Sequence, residues 1–184
     1  MSLQKIKQLE DYVSLVDYDW LNNTYIPSIE AMQFLTFIKL VNGVKGEENK
    51  TPVMHLHMLD GLIHFDNVLE IVFRGGAKTT VIHEYAFLYM ACYGKFFGFG
   101  EVDVAMYVSD TMENGVKNMR NQLEYRWNES EFLQQYVPYA KFTDDSWEFA
   151  NTSGHKTFIR GFAAMTGVRG FKKYGKRPTW CGCV

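Results

Sequence analysis

The chain has 184 residues, 47% of them hydrophobic and 22% charged, with a formal net charge of −2. That length carries one domain, or one domain with a small appendage, and the balance is that of a globular chain with a real core. The charge gives no bulk attraction to nucleic acid, the 16% aromatic content argues against disorder, and His83, Glu84, Lys95 and Glu101 interrupt the longest apolar runs before they approach a membrane span. There is no basic start followed by an apolar core, so no secretory signal is expected. Cys92, Cys181 and Cys183 are odd in number and read as small apolar residues of a reducing compartment.

Residues 1 to about 45 read as helical, with Ile6, Leu9, Tyr12, Val13 and Val16 on one face and Ala31, Phe34, Leu35, Ile38 and Val41 on another. The polar stretch "NGVKGEENKTP", Asn42 to Pro52, reads as a linker and sets the expected boundary between a helical segment, 1–48, and the main domain, 49–184. Helical pattern resumes in "TPVMHLHMLDGLIHFDN", with Thr51 as cap and Pro52 at the first helical position. "NVLEIVF" (Asn67 to Phe73) predicts a short apolar strand. A helix follows from about Lys78 to Tyr93, with Val81, Tyr85, Leu88 and Cys92 on one face. "VDVAMYVSD" (Val102 to Asp110) predicts a second strand. It leads into a helix on which Met112, Val116, Met119, Leu123 and Trp127 keep helical spacing and Asp110 and Glu113 form a capping box. "SWEFANTSGHKTFIRGFAAM" predicts a β-hairpin with "NTSG" as its turn, and "TWCGCV" a last strand after a basic loop. This order implies an open α/β sheet with parallel strands.

The informative stretch is "FRGGAKTT". It lies between a predicted strand and a predicted helix, where a phosphate-binding loop belongs, yet the standard GxxxxGK[ST] pattern would want glycine at Val72 and Ala77. Gly75 and Gly76 let the backbone approach an anion, and the following helix adds unpaired N–H groups and its positive dipole end. Lys78 offers a point charge to the β and γ phosphates of a nucleotide, Thr79 a hydroxyl to Mg²⁺, and Arg74 a second cation four residues earlier. The competing account is a tight βα turn with a solvated lysine; the buried strand and apolar helix on either side are the context that favours the phosphate loop.

Further motifs join this one. "FRGGAKTT" resembles the deviant Walker A of tailed-phage terminase large subunits, with an arginine four residues before the lysine and alanine before it. "TPVMHLHMLDGL" resembles that family's adenine-side motif, with His55 nearest to its glutamine. "AMYVSDTMENGVKNM" is similar to its second strand and helix, "FIRGFAAMTGVRGFKK" to its hairpin strand and Val-Arg-Gly loop, and "RPTWCGCV" falls where the Walker B strand belongs. The likeness covers about Thr51 to Val184.

The resemblance implies a P-loop NTPase fold of the RecA-like class, with a mainly parallel sheet flanked by helices and a small N-terminal helical subdomain. It implies an ATPase that uses ATP and Mg²⁺ to drive double-stranded DNA into a procapsid in the host cytoplasm. The implied partners are the small terminase subunit, the portal and further copies in a ring, and the full protein would carry a nuclease. Arg74, Gly75, Gly76, Ala77, Lys78, Thr79 and Thr80 would hold the nucleotide, with Thr79 on Mg²⁺. Arg169 would reach a neighbouring subunit's nucleotide as an arginine finger, or else pair with a local carboxylate. The family's Walker B acids have no match before Val184, so the chain is expected to stop short of them, to bind nucleotide weakly and to hydrolyse it negligibly. The alternatives are a helicase-like P-loop motor and a non-enzymatic assembly module.

His55, His57 and His64, with Asp60 and Asp66, lack a tetrahedral ligand spacing and read as surface or packing residues; Cys181 and Cys183 fall on one face of a strand and are expected to be buried. In "RGFKKYGKRP", Lys172, Lys173, Lys176 and Arg177 join Arg169 in one loop, which reads equally as solvated or as a track for DNA phosphates.

Overall fold

The structure, a computed structural model, describes residues 16–17, 25–48 and 50–184. The chain divides into two compact units, Met1–Phe73 and Arg74–Val184, so the expected 48/49 boundary lies inside the first. The helical reading of Ile6, Leu9, Tyr12 and Val13 falls outside the described residues; Val16 falls in a short strand.

In the first unit, β1 (Val16–Asp17) pairs in parallel with β2 (Thr51–Pro52). Helix α1 (Ile29–Asn42) starts at Ser28, whose hydroxyl accepts from the Ala31 N–H. The "linker" holds a short helix, α2 (Val44–Glu48). Helix α3 (Val53–His64) begins one residue later than expected. Pro52 is its N-cap and Thr51 lies in β2. Phe34, Leu35, Leu56 and Leu59 are buried, as the 3.6-residue period of both helices requires. Asp60 of α3 accepts bonds from the Ser28 N–H and hydroxyl and from the Tyr25 hydroxyl, so one carboxylate joins the start of α1 to α3.

Residues 67–73 do not form the expected strand. Leu69, Ile71 and Phe73 are 85%, 88% and 70% exposed. A strand needs a neighbour to take its N–H and C=O groups, and no described sheet includes this segment.

The second unit is mixed α/β. Its five-stranded sheet runs in the order β6 (Tyr139–Phe142), β7 (Ser146–Ala150), β8 (Lys156–Ala163), β5 (Val104–Ser109) and β9 (Trp180–Cys183), alongside a separate two-stranded pair, β3 (Lys95–Phe96) and β4 (Gly100–Glu101). Strands β8, β5 and β9 are mutually parallel, while β6, β7 and β8 form an antiparallel meander. The sheet is therefore mixed, because the predicted hairpin joins the parallel set and β6 extends it. The hairpin turn falls at Asn151–Gly154, where the Asn151 side chain accepts the Ser153 and His155 N–H groups.

Helical backbone runs over 78–93 as a π-helical turn, Thr80–Glu84, followed by α4 (Tyr85–Tyr93). Residues 81–92 are buried on all sides rather than along one stripe, the mark of a helix inside a core. Phe87 meets Trp147, Tyr107 and Trp180 edge-on, and Thr157 donates to the Met90 carbonyl. A second π turn, Met112–Val116, runs into α5 (Lys117–Glu129). Its cap is Thr111, whose hydroxyl accepts from the Asn114 N–H; Asp110 instead accepts from the Thr111 N–H, so the expected Asp110–Glu113 capping box is not formed. Val116, Met119 and Leu123 are buried as their spacing predicts. Helix α6 (Glu131–Tyr136) follows, capped by Ser130.

Candidate functional site at the carboxyl edge of the sheet

The loop after Phe73 turns tightly over residues 74–76. Gly75 has φ +91°, and Ala77 has φ +55°, a left-handed value that side chains other than Gly, Asn and Asp adopt at a cost. A glycine at the position before the lysine would adopt it freely, and here the conformation persists with alanine. The Ala77 carbonyl accepts the Val81 N–H, so helical bonding begins at Ala77. The N–H groups of Lys78, Thr79 and Thr80 then fall in the first turn, without intrahelical acceptors. Gly76 is buried, Lys78, Thr79 and Thr80 are half-buried and Arg74 is exposed. Neither Lys78 nor Arg74 pairs with a carboxylate among the described residues.

Beside this helix start lies a cavity of about 450 Å³, lined by Thr79, Glu84, Tyr107, Ser109, Asp110, Asn118 and Gln122 among others. It opens at the carboxyl end of β5, the central parallel strand, which is where open α/β sheets bind ligands. Both π turns border it, through Glu84 and Asn114. Such turns place side chains that a regular helix would aim elsewhere, and they gather at functional sites.

Both carboxylate oxygens of Glu84 are held. One oxygen accepts from Arg126 Nε at 2.8 Å and the other from the Thr80 hydroxyl at 3.2 Å. Arg126 also donates to the Tyr85 hydroxyl at 2.7 Å and lies 4.5 Å over its ring. This network ties the loop helix to α5.

One turn below Lys78, His83 is buried between Tyr107 and Trp180, with ring centroids 5.6 and 6.0 Å away. Its Nδ1 has no hydrogen-bond partner among the described residues. Burial, then the nearby Lys78 charge, push its pKa down to about 4, so the ring is neutral at pH 7. Gly182 of β9 makes room for it, since a Cβ there would overlap the imidazole.

The other expected residues lie elsewhere. His55 is half-buried on α3 of the first unit; His57 stacks on Tyr25 at 3.6 Å and His64 lies 3.8 Å from Asp60. Arg169, Lys172 and Arg177 are exposed, and none of them pairs with a carboxylate among the described residues. Lys176 binds Asp103 at 2.6 Å and Lys173 lies 4.4 Å over Phe158. Tyr174 and Gly175, both left-handed, make the two-residue turn between Lys173 and Lys176. Cys181 and Cys183 do share a face, with their sulfurs 3.9 Å apart, but that face is exposed. Burial there goes to Trp180 and Gly182, which face the helices.

No motif in the sequence alone marks Ser109, Asp110, Asn118 or Gln122 for chemistry. The signal available was the position of Ser109–Asp110 just past the end of a parallel strand, together with the i, i+4 spacing of Asn118 and Gln122 on one helix face. Among the described residues no three His, Cys, Asp or Glu side chains form a metal cluster, and no helix is long and apolar enough to cross a membrane. No family model, curated protein or solved structure matches the chain.

Proposed function

We propose that the chain is ATPase-domain sequence of a tailed-phage terminase large subunit, a P-loop nucleotide site that serves a DNA-packaging motor. The observation that carries this is the backbone at Gly75 and Ala77: both are left-handed and lead into a helix whose first residues are Lys78 and Thr79. A left-handed alanine has a cost of order 1 kcal/mol, and an anion cradled by the following N–H groups is a reason to sustain it.

In this reading the first-turn N–H groups and Lys78 hold the β and γ phosphates, with Gly75 and Gly76 allowing close approach. Arg74 is the second cation of the loop. The donors beside the loop are hard oxygens, the Thr79 and Ser109 hydroxyls and the Asp110 carboxylate, and they suit Mg²⁺. Bound Mg²⁺ would neutralise charge on the transferring phosphoryl group. Arg169, exposed and without an ion pair among the described residues, is available to a neighbouring copy's nucleotide. Lys172 and Arg177 are likewise free for DNA phosphates.

Calorimetry of Mg-ATP binding to the chain and to Lys78→Ala tests the proposal. Binding that is lost in the variant supports it, and binding that is equal in both overturns it. A second reading, a non-enzymatic assembly module, is favoured by Leu69, Ile71 and Phe73, exposed apolar side chains at alternate positions of a segment that lies outside any helix or strand. That pattern suits strand addition to a partner.

A further inference from the structure

We infer that Asp110 is the carboxylate that holds the divalent cation beside the phosphate loop, an inference that rests on the nucleotide reading above. Asp110 stands immediately past the carboxyl end of β5, and β8 and β9 flank that strand in parallel register up to Ala163 and Cys183. It lines the same 450 Å³ cavity as Thr79, the hydroxyl that follows the loop lysine.

Two acidic side chains line this cavity. Glu84 is committed, since Arg126 and Thr80 each occupy one of its oxygens. Asp110 is half committed. Its Oδ1 accepts from the Thr111 N–H at 2.7 Å and from the Ser109 and Thr111 hydroxyls at 3.2 and 3.4 Å, which fixes the group. Its Oδ2 accepts from no described residue. A side chain held by one oxygen and open at the other is arranged for an outer ligand. Mg²⁺ needs only one or two protein carboxylates when phosphates and waters complete its shell. The cation would then be held between the helix start and the central strand.

The experiment measures binding of the non-hydrolysable analogue AMP-PNP by calorimetry, in Mg²⁺ and again in EDTA, to the chain, Asp110→Asn, Asp110→Glu and Lys78→Ala. Asparagine keeps the Oδ1 acceptor and replaces the charged Oδ2 by an NH₂ group, which cannot ligate a cation. In the chain itself Mg²⁺ is expected to tighten binding by roughly ten- to a hundredfold, the scale of one charged ligand. In Asp110→Asn that advantage falls towards one while affinity in EDTA holds or rises, because a negative charge beside the phosphates is gone, and Asp110→Glu restores part of the advantage. Should asparagine unfold the protein, Asp110→Ser keeps a capping hydroxyl and carries the same comparison. An undiminished Mg²⁺ advantage in Asp110→Asn, with binding lost in Lys78→Ala, overturns the inference and leaves the nucleotide reading standing. No binding by the unaltered chain overturns both.

Discussion

The segments 67–73 and 102–110 look alike as sequence: each is a short apolar run that ends in a polar turn before a helix. In the structure they part. The second becomes β5, with β8 on one side and β9 on the other, and its Val104, Ala105 and Tyr107 are buried. The first has no neighbour in any described sheet and leaves Leu69, Ile71 and Phe73 in solvent. Strand propensity is thus a capacity to fit a half-buried, paired surface. An apolar run without an adjacent edge has nothing to pair with, and the phosphate-loop reading keeps its helix but not its strand.

The largest way to test the β5 side of this contrast is to remove what packs on it. Trp147 is 0% exposed and lies 6.2 Å from Tyr107 and 6.0 Å from Phe87. Trp147→Ala is expected to cost about 3–5 kcal/mol, read by denaturant unfolding followed by circular dichroism. A cost below 1 kcal/mol would mean that this face of the sheet is not the core.

Next in size is the Glu84–Arg126 pair. Arg126→Met leaves Glu84 buried without its partner and should cost about 3 kcal/mol, whereas adding Glu84→Gln should recover most of the loss. The double-mutant cycle checks this; additive costs would show that the pair is not coupled.

His83 gives the third test, and its sign can be worked out. Its folded pKa, about 4, lies below the unfolded value near 6.5. Above pH 6.5 the ring is neutral in both states and the stability is fully present. As pH falls from 6.5 towards 4, the unfolded chain takes up a proton that the folded one refuses, and stability is lost. Between pH 7 and 5 the loss should be about 2 kcal/mol. Because Lys78 is the second cause of the shift, Lys78→Met should soften the slope. Unfolding curves at pH 5, 6 and 7 decide it, and a slope unchanged in His83→Asn would remove His83 as its source.

How far the sequence could be read follows from the same contrast. Local signals were legible: the β5 run, the Asn151–Gly154 turn, the helix from Lys78 and the buried spacing of Val116, Met119 and Leu123. What depends on neighbours was not. Nothing local in residues 67–73 shows that a paired edge is missing. Nothing in "TWCGCV" shows that Trp180 and Gly182 take the covered face while Cys181 and Cys183 take the bare one. Strand β6 is not legible because Tyr139–Phe142 is four residues long with none of them buried, and it pairs only by extending the hairpin. The loop was legible as residues, but the left-handed backbone at Ala77 and the Asp110 oxygen left open beside Thr79 are three-dimensional facts.

The smallest expected effect is the one that most sharply divides the two segments. Replacing Leu69, Ile71 and Phe73 together by serine removes three large apolar side chains. Were the segment a packed strand, the loss would be several kcal/mol, since each buried side chain of this size contributes about 1.5–3 kcal/mol. As the segment stands, exposed, the combined change should stay within about 0.5 kcal/mol. A matched Val104→Ser in β5 should exceed it although it removes a single smaller side chain. A triple variant that melts like its parent, yet no longer associates at high concentration in sedimentation experiments, would identify this run as a docking strand. A variant that unfolds would return residues 67–73 to the core and give the phosphate loop back its second support.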